Sequence, residues 1–172
     1  MCQIIYAPAK VEPTDKLVQR SMEQNPDGWG IMYPAGSSGV VTVHKGLNEV
    51  DFYRALDQRP INRPAVIHFR WGTHGSAKPA NCHPFEVHKG LWMVHNGVLP
   101  FNPPGDWSDT RWFARILKEF PAGFHRDPNW IGKIKLTIRR DRMVFMGRYG
   151  RVTIINEKVG AWTDGVWISS IR

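Results

Sequence analysis

The stretch His68-Phe69-Arg70-Trp71-Gly72-Thr73-His74-Gly75 gathers an arginine, a threonine, two histidines and two glycines. It closes an apolar alternation over 65–70, with Val66 and His68 on one face and Ile67 and Phe69 on the other, which reads as a strand. A strand end that opens into a glycine-rich loop lets backbone approach a ligand closely, and an arginine there can grip a carboxylate through two parallel hydrogen bonds. Taken alone, a basic surface loop is the commoner case. His95-Asn96-Gly97 ends a second strand, 91–95. An asparagine amide and a neighbouring glycine N–H can aim at one developing oxyanion, although Asn-Gly by itself is more often a tight turn. Ser108-Asp109-Thr110 reads as a helix start, with Ser108 as cap and Asp109 favoured by the helix dipole. The same Asp109 could hold an ammonium group. Lastly, Cys2 follows the initiator methionine. Chance could put it there. If Met1 is removed, though, one residue carries a thiol of pKa about 8.5 and an amine of about 7.7–8.0, a nucleophile with its own base.

Other chemistries find less support. There are 7 histidines, and His74, Cys82, His83, His88 and His95 lie close in sequence. No Cys-x-x-Cys or His-Glu-x-x-His spacing accompanies them, and 2 cysteines are too few for a thiolate metal site. No metal or cofactor is expected, and Cys82-His83-Pro84-Phe85 reads as a structural loop. No phosphate-binding glycine loop is present. The net charge is +8 and the pI about 9.8, a balance that admits nucleic acid as a partner. The basic residues are scattered, however, and the densest run, Arg139-Arg140-Asp141-Arg142, contains an acid and reads as a solvated face or hairpin turn. The 8 tryptophans read as core and pocket walls. Nucleic acid is admitted but not indicated.

The elements that must position these residues are short. Strands are expected over 3–6, 30–33 and 40–44, the last two around Gly36-Ser37-Ser38-Gly39. A helix over 14–22 takes Thr14 as cap, and a second covers 49–58 before Pro60. Behind Ser108, Trp112, Phe113, Ile116, Leu117 and Phe120 recur at helical spacing until Pro121. From Lys133 onward the pattern reads as strand throughout: 133–139, 143–146, 152–156 and 166–169. Many strands joined by hairpins, with two or three helices, make an α+β protein with largely antiparallel sheets. A chain of 172 residues suits one domain and can bury roughly 70% of its unfolded surface without a staple. No apolar run fits a transmembrane helix or a signal peptide, so no membrane partner is expected, and the low cysteine count suits the cytoplasm.

In sequence order, Met1-Cys2, Asp27-Gly28-Trp29-Gly30, Arg70-Trp71-Gly72-Thr73-His74-Gly75, Asn81-Cys82-His83-Pro84-Phe85, His95-Asn96-Gly97 and Ser108-Asp109-Thr110 resemble the class II glutamine amidotransferases. These belong to the N-terminal nucleophile hydrolases. The resemblance is anchored over 1–110. The tail, with Ile154-Ile155-Asn156-Glu157 and Gly165-Val166-Trp167, is similar to compact stand-alone members from bacteria and phages. The resemblance implies a four-layer αββα sandwich, a single glutaminase domain over 2–172 and removal of Met1. It implies Cys2 as nucleophile with its α-amine as proton acceptor. Arg70, helped by Thr73 and His74, would bind the α-carboxylate of glutamine, and Asp109 its α-ammonium. Asn96 and Gly97 would form the oxyanion hole, and Trp71 would shape the pocket. The segment between Asn-Gly and Ser-Asp-Thr is shorter than in large members, and Arg111 stands where an acid often follows.

The expected reaction is hydrolysis of glutamine to glutamate and ammonia through a γ-glutamyl thioester. With no room for an ammonia-using domain, any acceptor would be a separate protein, or there is none, and the chain itself would work in the cytoplasm, that of the host if it is phage-encoded. A γ-glutamyl amidohydrolase acting on a γ-glutamyl peptide or amide is the nearest alternative. A non-catalytic binding protein on the same fold, contacting a host or nucleic-acid partner, is the third.

Overall fold

The computed structural model describes residues 2–171. Its larger sheet has the order β3-β2-β4-β1-β10-β9. These strands are β1 Gln3–Ala7, β2 Trp29–Ala35, β3 Val40–Gly46, β4 Ala65–Phe69, β9 Ala161–Thr163 and β10 Val166–Ile168. The smaller sheet runs in chain order through β5 Phe85–His88, β6 Leu91–Asn96, β7 Arg142–Met146 and β8 Val152–Ile155. Every neighbouring pair is antiparallel. Four α-helices are described: α1 Asp15–Gln24, α2 Glu49–Asp57, α3 Asp109–Leu117 and α4 Pro128–Ile138.

Strand alternation sorts the side chains into three cores, and the cores define the layers. Ile31, Ile67 and Phe69 face α1 and α2, where Val18, Phe52 and Ala55 meet them. Met32 and Val66, on the opposite faces of β2 and β4, pack against Val94, Val144 and Met146 of the smaller sheet. Met93, Met143 and Phe145 then face Phe113 and Leu117 of α3 and Ile134 and Ile138 of α4. Helix, sheet, sheet, helix is the αββα order expected. Because both faces of β4 are covered, all five of its residues are buried.

The strand expected over 133–139 is instead the second half of α4. Ile134, Leu136 and Ile138 alternate as strand residues do, but Ile134 and Ile138 are also four apart, on one face of a helix. Both are buried, while Leu136 is 82% exposed. Asp127 caps this helix by accepting from Asn129 and Trp130 N–H, and Pro128 takes the first helical position, where its missing donor costs nothing. Two strands were not anticipated. β5 follows directly on the Cys82-His83-Pro84 loop, and β9 is only three residues long. The 139–142 run is not a solvated turn throughout, since Arg142 is buried. Phe120 lies beyond α3 yet still packs on its core.

One contact fixes the Cys82-His83-Pro84 loop to the larger sheet. A Cβ at Gly30 would stand 1.8 Å from the His83 carbonyl oxygen, and one at Gly28 would stand 2.4 Å from Cys82 Sγ. Glycine in Asp27-Gly28-Trp29-Gly30 therefore lets the loop lie on the strand. Gly30→Ala must displace backbone, so a loss of about 1–3 kcal/mol or more is expected. Calorimetry should show a thermal midpoint several degrees lower; an unchanged midpoint would contradict this packing.

Candidate active site

β1 and β4 pair antiparallel with Gln3 opposite Phe69. The next residues outward, Cys2 and Arg70, are thereby brought to the same edge. Cys2 is buried, and its Sγ accepts from Trp71 N–H at 3.3 Å and lies 3.5 Å from Trp71 O. Seven of the eight predicted residues line one narrow cleft: Cys2, Arg70, Trp71, Thr73, His74, Gly97 and Asp109. The eighth, Asn96, does not. The cleft holds about 20 Å³, room for about one water. Trp71, Thr73 and His74 are its exposed rim.

Burial pushes the Cys2 thiol up, against the lowering effect of the Trp71 N–H and of the nearby Arg70 cation. Arg70 is itself buried, and its guanidinium organises the loop. Nη2 donates to His74 O and Gly75 O, each at 2.9 Å, and Nη1 to Asp27 O at 3.4 Å. Asp27 closes the other side, accepting from Gly72 N–H at 2.7 Å. A Cβ at Gly72 would lie 3.2 Å from Arg70 Nη2, so this glycine lets the loop fold over the guanidinium.

Asp109 stands across the cleft at the start of α3. Its Oδ1 accepts from Thr110 N–H at 2.6 Å and its Oδ2 from Leu99 N–H at 2.7 Å, with His74 Nδ1 3.9 Å away. It thereby ties the segment after Asn96-Gly97 to the helix. Asn81 braces the same region, donating to Ser76 O and Asp106 O and accepting from Ser108 N–H. Asp106 completes the clasp with Ser76 and Lys78, whose hydrogen bonds hold its carboxyl well below the usual carboxylate range.

Asn96 is fully buried and turns toward the C-terminal strand. Its Nδ2 lies 2.8 Å from Ser169 Oγ and 3.0 Å from Ser170 Oγ, and its Oδ1 has no hydrogen-bond partner among the described residues. Arg142, opposite Asn96 in the β6–β7 register, donates to Ser169 O and Ser170 Oγ. Gly97 is held by close approach: a Cβ there would fall 1.8 Å from the Asp141 carboxyl carbon. Asp141 also accepts from Val98 N–H at 3.0 Å. Asp141, Arg142, Ser169 and Ser170 were invisible to motif reading, because strand register alone brings them to Asn96-Gly97.

Beneath the cleft lie neutral imidazoles. His68 Nε2 donates to His95 O at 3.1 Å, and His83 Nδ1 accepts from His95 N–H at 3.3 Å. The His68 and His83 rings are 3.9 Å apart. Burial lowers His68 to about 3, and burial with His68 alongside holds His83 well below the imidazole range. In the unfolded chain both titrate near about 6.5. Between about 6.5 and about 3 the unfolded state therefore binds more protons, so this contribution is complete above about pH 6.5 and is lost as pH falls toward 3. Urea midpoints should drop progressively below about pH 6.5, with a flatter dependence in His68→Gln. A midpoint independent of pH would contradict it. Among the described residues no group of three His, Cys, Asp or Glu could hold a metal ion.

The family model for class II glutamine amidotransferases matches residues 15–154. The chain belongs to the class II glutamine amidotransferases. Arg70, Asn96, Gly97 and Asp109 fall inside that match, and Cys2 precedes it. Among curated amidotransferase relatives, a probable glutamine–fructose-6-phosphate aminotransferase (isomerizing) of Schizosaccharomyces pombe is 49% identical over 41 residues, 23% of this chain and 6% of that protein. The Salmonella typhimurium glutamine–fructose-6-phosphate aminotransferase (isomerizing) is 28% identical over 108 residues, 60% of this chain and 18% of that protein. This chain thus spans only a small part of the length of the curated relatives it matches. A glutamine aminotransferase class-II domain protein from Silicibacter pomeroyi superposes with TM-score 0.46 at 15% identity, covering 87% of this chain and 77% of that one. The glutamine phosphoribosylpyrophosphate amidotransferase of Bacillus subtilis gives TM-score 0.49 at 13% identity, covering 98% of this chain and 41% of that one. No helix among the described residues of this amidotransferase is long and apolar enough to cross a membrane.

Proposed function

We propose that residues 2–172 form one glutaminase domain, that Met1 is removed, and that Cys2 hydrolyses the side-chain amide of glutamine. The observation that carries this reading is the meeting of a buried thiol, an arginine and an aspartate in one cleft. Glutamine offers a carboxylate and an ammonium at one end and an amide at the other. Arg70 has spent three of its five N–H groups on carbonyls; Nε–H and one Nη1–H remain, on different edges of the guanidinium, so one of them can donate to the carboxylate beside the cation's charge. Asp109, although both its oxygens accept backbone N–H groups, keeps lone pairs for the ammonium. Clamping that end holds the amide against Sγ.

A thiol raised by burial is protonated near neutral pH, so attack requires a base. The free α-amine of Cys2 takes the proton as Sγ adds to the amide carbon, directly or through a water. The tetrahedral oxyanion collapses, the C–N bond breaks, and the same proton leaves on ammonia. Water then attacks the γ-glutamyl thioester, giving glutamate and the regenerated thiol.

For Asn96 the hydrogen-bond inventory favours a rotated amide. Ser169 Oγ already accepts from Ile4 N–H, and Ser170 Oγ from Arg142. Each hydroxyl proton is then available. Half a turn about the Cβ–Cγ bond lets Oδ1 accept both protons and leaves Nδ2 a buried donor, the requirement for stabilising an oxyanion.

The test is release of glutamate and ammonia from L-glutamine, compared with γ-glutamyl amides and peptides. Preference for glutamine supports the proposal. Preference for a bulkier γ-glutamyl amide replaces it with the amidohydrolase, and no hydrolysis of either by protein lacking Met1 replaces it with the binding protein.

A further inference from the structure

The wider clefts lie away from Cys2. One of about 340 Å³ opens where three turns meet: Lys89-Gly90 between β5 and β6, the 3-10 turn Phe124–Arg126, and the turn Arg148–Gly150 between β7 and β8. Lys89, Arg126, Arg148 and Arg151 line it beside Tyr149, and its lining includes no carboxylate. None of these four cationic groups makes a side-chain hydrogen bond or ion pair among the described residues. Four other cations do have carboxylate partners: Arg54 with Asp51, Arg59 with Glu12, Lys78 with Asp106 and Arg115 with Glu119. A neighbouring cleft of about 510 Å³ shares Lys89 and Arg148, and its one acid, Glu86, accepts from Gly90 N–H at 3.0 Å.

Four unpaired cations facing one concavity repel each other, and the concave walls focus their field. An anion with several acceptor oxygens relieves that repulsion, and guanidinium groups match phosphate through paired N–H bonds. Tyr149 is 58% exposed at the rim, and a Cβ at Gly39 would strike its ring at 2.1 Å, so the ring is seated on that glycine. It offers a flat face beside the charges. We propose that this cleft binds a phosphate ester of mononucleotide size, with Arg126, Arg148, Arg151 and Lys89 on the phosphate and Tyr149 against the base or sugar. The volume lies in the range of small-molecule sites. A nucleic-acid strand would need its cations along an extended track, whereas these four line one cleft.

Calorimetric titration of the full chain with AMP, ribose 5-phosphate, adenosine and inorganic phosphate tests this without relying on glutamine hydrolysis. Saturable one-to-one binding of AMP, absent for adenosine, is expected. Arg148→Ala should weaken it by about tenfold or more, as for loss of a charge-assisted contact, while Arg20→Ala, in a different cleft, should not. Circular dichroism confirms that each variant is folded. Tyr149→Ala should weaken AMP alone if the ligand is a nucleotide; ribose 5-phosphate binding as tightly as AMP identifies a sugar phosphate in the same site. Adenosine binding like AMP, indifference to Arg148→Ala, or no saturable binding of any phosphate overturns the proposal. So does a short single-stranded oligonucleotide that binds more tightly than AMP with a steep salt dependence.

Discussion

Cys2→Ala is expected to abolish glutamine hydrolysis while leaving the protein folded. Removing the nucleophile of a hydrolase lowers turnover by on the order of 10⁶, which here means loss of any signal above the uncatalysed rate. Stability should hardly change, because the thiol contributes one long contact to Trp71 O and one from Trp71 N–H, and alanine is nearly as large. The control separates chemistry from folding: the variant's thermal midpoint stays near that of the parent while product formation stops. Cys2→Ser retains the α-amine but offers a far weaker nucleophile, so it too should lose nearly all activity. Substantial activity in either variant would place the reaction elsewhere.

Asn96→Ala is expected to lower kcat by about 10²–10³ with little change in KM, the signature of a donor that acts on the transition state. The expectation rests on Ser169 and Ser170 holding Oδ1 so that Nδ2 is free. Ser169→Ala should therefore reproduce part of the kcat loss, although Ser169 never touches substrate. Steady-state kinetics on both variants checks this. An effect confined to KM would show that Asn96 supports binding and that the oxyanion is held by other donors, Gly97 N–H among them. Arg70→Ala should give the opposite split, mainly raising KM.

Local signals carried most of the fold. Ser108 and Thr14 cap the helices they were expected to start, and the alternation over 65–70 resolves into a strand with both faces covered. Where two periods fitted one sequence, alternation prevailed in the reading and helix in the molecule: Ile134 and Ile138 pack on the smaller sheet because Asp127-Pro128 starts a helix ahead of them. The candidate site divides in the same way. Cys2, Arg70, Gly97 and Asp109 sit in or beside recognisable motifs. Apart from Asp27, which lies in a recognised motif, their supports were not legible, because Asp106, Asp141, Arg142, Ser169 and Ser170 act through pairings distant in sequence. Asp141 and Arg142 read as members of a charged turn, yet one occupies the space that a Gly97 side chain would need and the other steadies Ser170.

The central claim is that the residue after Met1 is the working nucleophile and that its own amine is the base. Acid-quenched mass spectrometry of protein mixed with L-glutamine tests it most directly. The account predicts a transient γ-glutamyl adduct on the N-terminal peptide, at Cys2, only in molecules that have lost Met1. Hydrolysis with the adduct on another residue, or equally fast hydrolysis by protein that keeps Met1, would contradict it.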